Sequence, residues 1–234
     1  MRHFFTLCFV AVLLAGCMPY LGYPVGKVRY KVTMEVMTPE GLRTGYSVNE
    51  FSASGRPPML GEQQTAHYKP IHTEAVAVDL GQRGFIFMLA GVNPYYLVFN
   101  AIPPQCTEGY ASKCGAGFYA TLPAGSGGIL DPDDYPQLVH FKNMKDYRSV
   151  EIVSKYADKP MPDAHGGFAR SFEDVFGKGV YIHAIRVEIT KEPLTHKIDA
   201  VLPAYPPRRP LMTMRDRAEF PYYLERSSFT STFD

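Results

Sequence analysis

The chain has no tryptophan and only four cysteines in 234 residues, and neither sign of charge is in excess, with 24 Lys and Arg against 23 Asp and Glu. The missing charge excess argues against a nucleic-acid binder, which needs a basic stripe to displace counterions from phosphates. Beyond residue 14 no apolar run approaches the roughly 18–20 residues of a spanning helix, which excludes a polytopic helical membrane protein. Glycine and proline number 20 each, together about 17% of the chain and below the roughly 25–30% of low-complexity sequences. With 46% apolar residues, the chain has enough material for the core of one ordinary domain or two small ones.

What is present starts at the N-terminus. Met1-Arg2-His3 is a short cationic start, and residues 4–14 are an apolar run of eleven broken only by Thr6. That length suits the core of a signal peptide and is too short to span a bilayer. The run ends in Leu14-Ala15-Gly16-Cys17, which resembles the lipobox of bacterial lipoproteins. The resemblance implies that the leader, residues 1–16, is cut before Cys17, that the Cys17 sulfur carries a diacylglycerol, and that the freed amine is acylated with a fatty acid such as palmitate. One acyl chain binds a membrane only marginally, at about 0.8 kcal/mol per buried CH₂, whereas two or three hold a protein effectively permanently. By the same resemblance, Met18 after the cysteine implies the outer membrane, facing the periplasm. Loss of Arg2 with the leader would leave 23 charges of each sign.

Cysteine usage agrees with that address. Cys8 falls in the leader, Cys17 takes the lipid, and Cys106 and Cys114 are left to find partners in an oxidising compartment. The simplest expectation is a Cys106–Cys114 disulfide. The seven residues between them are mostly polar and include Gly109, so the backbone can close a small ring, worth roughly 2–3 kcal/mol on the loop-entropy model. A zinc site is the alternative, but the gap exceeds the two to four residues usual between paired thiolates and there is no second pair, so no metal is expected.

Along the mature chain, residues 17–26 carry Pro19, Gly22, Pro24 and Gly26 without periodicity and are expected to form a tether. From Lys27 onward Val28, Tyr30, Val32, Met34 and Val36 alternate with Arg29, Lys31, Thr33 and Glu35, the period-two signature of a half-buried strand. Thr38-Pro39-Glu40-Gly41 supplies a turn, and residues 42–51 a second strand of a hairpin. Residues 52–70 are expected to be loop. Residues 74–80 and 85–90 form a second, more apolar hairpin nearer the core. Short helices are expected at 92–102, at 171–176 up to Gly177, and at 193–202; strands are expected at 138–141 and at 180–189, the latter with Tyr181, His183, Ile185, Val187 and Ile189 on one face. Residues 103–136 are expected to be irregular. The fold class is mainly β, antiparallel and sandwich-like with a few short helices, organised as a single domain over 27–202 and a Pro-rich, aromatic extension over 203–234. Five aromatics, Phe220, Tyr222, Tyr223, Phe229 and Phe233, imply that part of that extension packs.

Each candidate for chemistry has a plainer reading. Ala124-Gly125-Ser126-Gly127-Gly128 approximates a nucleophile elbow, with Asp131 and His165 or His183 downstream. Pro123 before it and Pro132 after it deny the strand-turn-helix context, so a Gly-Ser loop is expected. Asp131, Asp133 and Asp134 offer hard oxygen ligands but lack the glycine and glutamate of a calcium loop, and a solvated turn capped by Asp131 is expected. His67 and His72 flank Pro70, which prevents a shared helical face, so both are expected as exposed loop residues. His183 is expected as a core histidine held by hydrogen bonds. Pro206-Pro207-Arg208-Arg209-Pro210 suits an extended strap or a docking segment.

Three stretches, Arg29-Tyr30-Lys31-Val32-Thr33-Met34-Glu35-Val36 with its following turn, Glu74-Ala75-Val76-Ala77-Val78-Asp79-Leu80, and Val187-Glu188-Ile189-Thr190 within 176–203, together resemble an uncharacterised group of proteobacterial β-rich exported proteins. The resemblance implies an exported β fold and carries over no functional residue. The expected function is therefore an envelope-anchored lipoprotein that binds or scaffolds an envelope partner without catalysis and without a cofactor. The alternative is a periplasmic hydrolase or metal-dependent enzyme assembled from Ser126, His183 and the Asp131 to Asp134 cluster.

Overall fold

The computed structural model describes residues 23–56, 65–90, 95–104, 116–162, 168–204 and 228–232. Twelve described strands form three sheets, one of six strands, one of four and one of two, and every strand pair with a recorded register is antiparallel. The fold is thus mainly antiparallel β with a few short helices, as the alternation predicts.

β1 (Tyr23–Thr38) and β2 (Gly41–Arg56) flank the predicted turn, where the Thr38 hydroxyl donates to the Gly41 carbonyl at 2.8 Å and Gly41 takes a φ of 122°. β3 is Thr65–Glu74, β6 Gly127–Ile129, β11 Tyr181–Ile189 and β12 Thr230–Thr232, and the six-stranded sheet runs β12-β3-β2-β1-β11-β6. The four-stranded sheet takes β4 (Val76–Asp79), β5 (Phe85–Met88), β7 (Leu138–Phe141) and β8 (Val150–Val153) in that order. β9 (Met161–Pro162) and β10 (Phe168–Ala169) form the small third sheet. Among the described residues three helices intervene: α1 (Tyr95–Ala101), α2 (Ala116–Thr121) and α3 (Phe172–Phe176).

The chain divides into two compact units. The first comprises Met1–Val28, Phe51–Lys69 and Pro104–Leu122. Within it Gly26 of β1 lies against α2, a Cβ there being 3.1 Å from that of Ala120, and the Phe51 and Tyr68 rings meet edge to face at 5.8 Å. The second comprises Arg29–Glu50, Pro70–Pro103 and Pro123–Asp234 and holds the core of the four-stranded sheet.

In the second unit β1 buries Tyr30, Val32, Met34 and Val36 against β11, in the register Tyr30↔Ile189, Val32↔Val187 and Met34↔Ile185. Each such side chain contributes about 1.5–3 kcal/mol on burial. The register shifts between Glu35 and Val36, so β11 does not keep one face inward throughout: Ala184 and Ile185 are both buried while Tyr181 and His183 are exposed. The expectation of a core His183 is corrected by that bulge.

The sheets connect at Ala75, where β3 hands the chain to β4. Close by, Gly45 of β2 sits on the Ala77 carbonyl of β4, and any Cβ at 45 would overlap that oxygen. A side chain there would have to push the two backbones apart. Phe87 of β5 packs edge to face against Phe141 at 5.5 Å and Phe229 at 5.8 Å, in a core with Leu89, Val139 and Ile152. The apolar hairpin predicted over 74–90 does lie at the core. α3 starts at Ser171, whose hydroxyl accepts from the Asp174 N–H at 3.1 Å, and stops at Gly177 with a φ of 99°.

Several expectations for the connecting segments are corrected. Residues 52–70 are not all loop, because β2 runs to Arg56 and β3 begins at Thr65. The 103–136 stretch contains α2, β6 and a 3-10 turn at Pro132–Asp134. Residues 193–202 form only a 3-10 turn at Ile198–Ala200. β1 begins at Tyr23, inside the stretch read as tether.

Candidate functional site

A polar seam lies where β3 ends and the segment 190–204 crosses over β2 and β3. Period-two geometry puts His72 and Glu74 on one face of β3. Both are buried, as are Ser47 and Asn49 on β2 and Thr195 on the crossing segment. Polar side chains in such positions must satisfy one another or leave costly vacancies in the hydrogen-bond inventory. Here nearly all are satisfied. Asn49 Oδ1 accepts the Glu74 backbone N–H at 2.6 Å while its Nδ2 donates to Ser47 Oγ at 3.0 Å. The Val48 N–H donates to Thr195 Oγ1 at 2.8 Å. Glu74 Oε1 accepts the Ile198 N–H at 2.8 Å, which starts the 3-10 turn.

His72 ties three segments together. Its Nε2 lies 2.8 Å from the Thr195 carbonyl and therefore donates, and its Nδ1 lies 3.3 Å from Thr232 Oγ1 of β12. The His196 ring meets it at 4.6 Å. Burial is the main cause that lowers the His72 pKa from its ordinary value, and the Thr195 carbonyl opposes that shift; His196 adds to the lowering, whereas Glu74 and Glu50 act against it. Glu74 Oε2 is buried without a hydrogen-bond partner among the described residues.

Ion pairs rim the seam. Arg29 donates from Nε and Nη2 to Glu50 Oε2 at 3.0 and 2.8 Å and from Nη1 to the Glu192 carbonyl at 3.1 Å. Lys31 donates to Glu192 Oε1 at 2.8 Å, a bond that raises its pKa. Tyr46, exposed on β2, lies under Lys31 and Lys197, whose ammonium groups stand 4.8 and 4.0 Å from its ring centre.

The residues singled out by sequence are placed differently. His72 is a buried strand residue rather than an exposed loop residue, because the crossing segment covers it. His67 lies in β3, and its side chain is outside the described residues. Ser126 sits in the turn before β6, its carbonyl accepting from the Ile189 N–H at 2.7 Å. His183 lies six residues back along β11, roughly 20 Å at strand rise, with Nε2 3.9 Å from Glu35 Oε2. The structure therefore does not bring Ser126 and His183 together. Asp131 Oδ1 caps the Asp133 N–H at 2.9 Å, the turn expected from the sequence. Asp133 Oδ1 meets Lys155 Nζ at 3.4 Å and Tyr156 Oη at 3.2 Å, and the Tyr156 bond raises that phenol's pKa. Cys17, Cys106, Cys114, His165 and the Pro206 to Pro210 stretch lie outside the described residues, so the lipidation and disulfide expectations are not addressed by the fold. Among the described residues no three His, Cys, Asp or Glu side chains converge as metal ligands would.

Sequence reasoning missed the seam. Its one visible signal is polar residues, Ser47 and Asn49 on one strand and His72 and Glu74 on the next, at alternate positions where a core face would carry apolar ones. Compared with protein-family models, with curated proteins and with solved structures, the chain matches none.

Proposed function

We propose that this chain is an envelope lipoprotein, anchored through Cys17 in the outer membrane and facing the periplasm, that binds or scaffolds another envelope component without catalysis. The observation that carries the reading is the cationic start, the eleven-residue apolar run and Leu14-Ala15-Gly16-Cys17. Support for a binding rather than a catalytic role comes from how the eligible side chains are used. His72 is tied to two backbone-bearing segments, Asp131 caps a turn, and Asp133 is engaged by Lys155 and Tyr156. A nucleophile needs a base within hydrogen-bond reach, and Ser126 and His183 are far apart on the strand scale. A Cys106–Cys114 disulfide belongs to the same reading, since the compartment is oxidising.

The test is made in intact cells. Globomycin should block processing, and the mature N-terminal peptide should begin at Cys17 with an added mass of acyl size. Crosslinking followed by mass spectrometry should capture an envelope partner. An unmodified N-terminus at another residue removes the anchor; turnover of an ester or peptide substrate by the purified chain, with no partner captured, removes the binding role.

A further inference from the structure

β12 is a strand of three residues at the edge of the six-stranded sheet, in the register Thr230↔Glu74, Ser231↔Thr73 and Thr232↔His72. Among the described residues, two features beyond backbone pairing help to hold it. The first is Phe229, fully buried against Phe87 and Phe141, whose carbonyl accepts the Ala75 N–H at 2.6 Å. The second is the Thr232 hydroxyl at His72 Nδ1. Ladder hydrogen bonds are blind to sequence, so any extended segment can make them; the aromatic slot and the hydroxyl position supply the selection. A strand edge flanked by a side-chain slot is the physical basis of recognition by strand addition. On its other side β3 is paired with β2.

We propose that the outer edge of β3, with the slot that Phe229 occupies against the touching rings of Phe87 and Phe141, is a strand-acceptor site, which β12 fills in the isolated chain and an extended segment of an envelope protein fills by exchange. The incoming segment carries an aromatic residue followed by alternating Thr or Ser, the chemistry of Phe229-Thr230-Ser231-Thr232. This rests on the reading of the chain as a binding module and names the site and partner class of that module. Two proteins held to one membrane meet at high effective concentration, which lets a partner segment compete with a strand already tethered in place.

The test uses the full chain in detergent and a fluorescein-labelled peptide of residues 228–234. Phe229→Ala empties the slot from within, so this variant should capture the peptide at least tenfold more tightly than the unaltered chain, whose own strand competes. A peptide with alanine in place of Phe229, and Phe233 kept, should not be captured. The proposal is overturned if folded Phe229→Ala chain does not bind the peptide, or binds the alanine peptide equally well. Should Phe229→Ala not fold, Thr232→Val carries the same comparison: tighter capture than by the unaltered chain supports the exchange, and equal capture refutes it. Concentration-dependent dimers of the unaltered chain, broken by Phe229→Ala, would put a second copy in the site and overturn the partner named. None of these readouts depends on lipidation or on capture in cells, so failure here is distinct from failure of the anchored-module reading.

Discussion

The face that β1 and β11 share and the seam that β2 and β3 share belong to one sheet, yet they are held by opposite means. The first is a ladder of apolar side chains, Tyr30, Val32 and Met34 against Ile189, Val187 and Ile185. The second is a set of hydrogen bonds among Ser47, Asn49, His72, Glu74 and Thr195. Apolar burial is non-directional and scales with area, so the first region should accept any residue of similar volume. Hydrogen bonds between buried groups give little net stability when made and cost much when one partner is lost, so the second should accept almost no replacement. The seam fixes where the crossing segment lies; the ladder supplies the energy that keeps β1 and β11 together.

The largest expected effect separates the two by paired substitutions. Met34→Ala should cost about 2–5 kcal/mol through lost burial and the cavity left behind. Asn49→Ala should cost about 1–3 kcal/mol, because the Glu74 N–H loses its acceptor. The decisive step is the refill. Met34→Leu should restore stability to within about 1.5 kcal/mol of the unaltered chain, whereas Asn49→Leu restores volume without an acceptor and should remain as poor as Asn49→Ala. Urea midpoints at neutral pH measure all four. Equal recovery by both leucines would erase the distinction.

The same contrast explains what could be read in the sequence. β1 was legible because burial leaves a period-two trace in the chain itself, and α3 because Ser171 and Gly177 mark its two ends. β3 was not, since its residues His72, Thr73 and Glu74 are polar and take their partners from Thr195, Ile198 and Thr232. The Val48 and Thr195 partners stand 147 residues apart, and local pattern carries no information at that range. The helix expected over 193–202 failed for the same reason. The Thr195 hydroxyl is spent on Val48, and Glu74 takes the Ile198 N–H, so the segment's polar groups are satisfied without a helical ladder. His183 was placed on the wrong face by the register shift opposite it, which alternation alone does not foresee.

A middle-sized effect tests the seam by pH. His72 is 1% exposed, and its pKa is lowered from the ordinary 6.5, chiefly by burial, with His196 beside it and the Glu74 and Glu50 carboxylates opposing. The fold therefore favours the neutral ring. As pH falls below about 6.5 the unfolded chain takes up the proton first, so it binds more protons than the fold and stability declines. The decline ends once pH drops below the folded pKa and both states are protonated. One such group gives a slope of at most about 1.4 kcal/mol per pH unit. His72→Gln, which keeps an amide donor for the Thr195 carbonyl, should lower stability at neutral pH and flatten the curve below pH 6.5 relative to the unaltered chain. The same slope in both proteins would place the titration elsewhere.

The smallest effect belongs to the rim, where the crossing segment is held to β1 by charge rather than by buried hydrogen bonds. Lys31 Nζ lies 2.8 Å from Glu192 Oε1 and 3.8 Å from Glu188 Oε1, with both glutamate side chains nearly half open to solvent. Water screens such pairs, and holding two long side chains in one geometry costs entropy, so an exposed pair contributes about 0.2–1 kcal/mol. Glu192→Gln keeps the size of the side chain, removes its charge, and leaves the Glu192 carbonyl free to accept from Arg29. Its cost should fall in that range in dilute buffer and should shrink toward zero in 1 M salt, where the screening length is about 3 Å. The Asn49→Ala cost, which arises from a buried donor left without an acceptor, should be unchanged by the same salt. A Glu192→Gln loss above about 2 kcal/mol that persists in 1 M salt would mean that the rim, and not the buried seam, fixes the crossing segment.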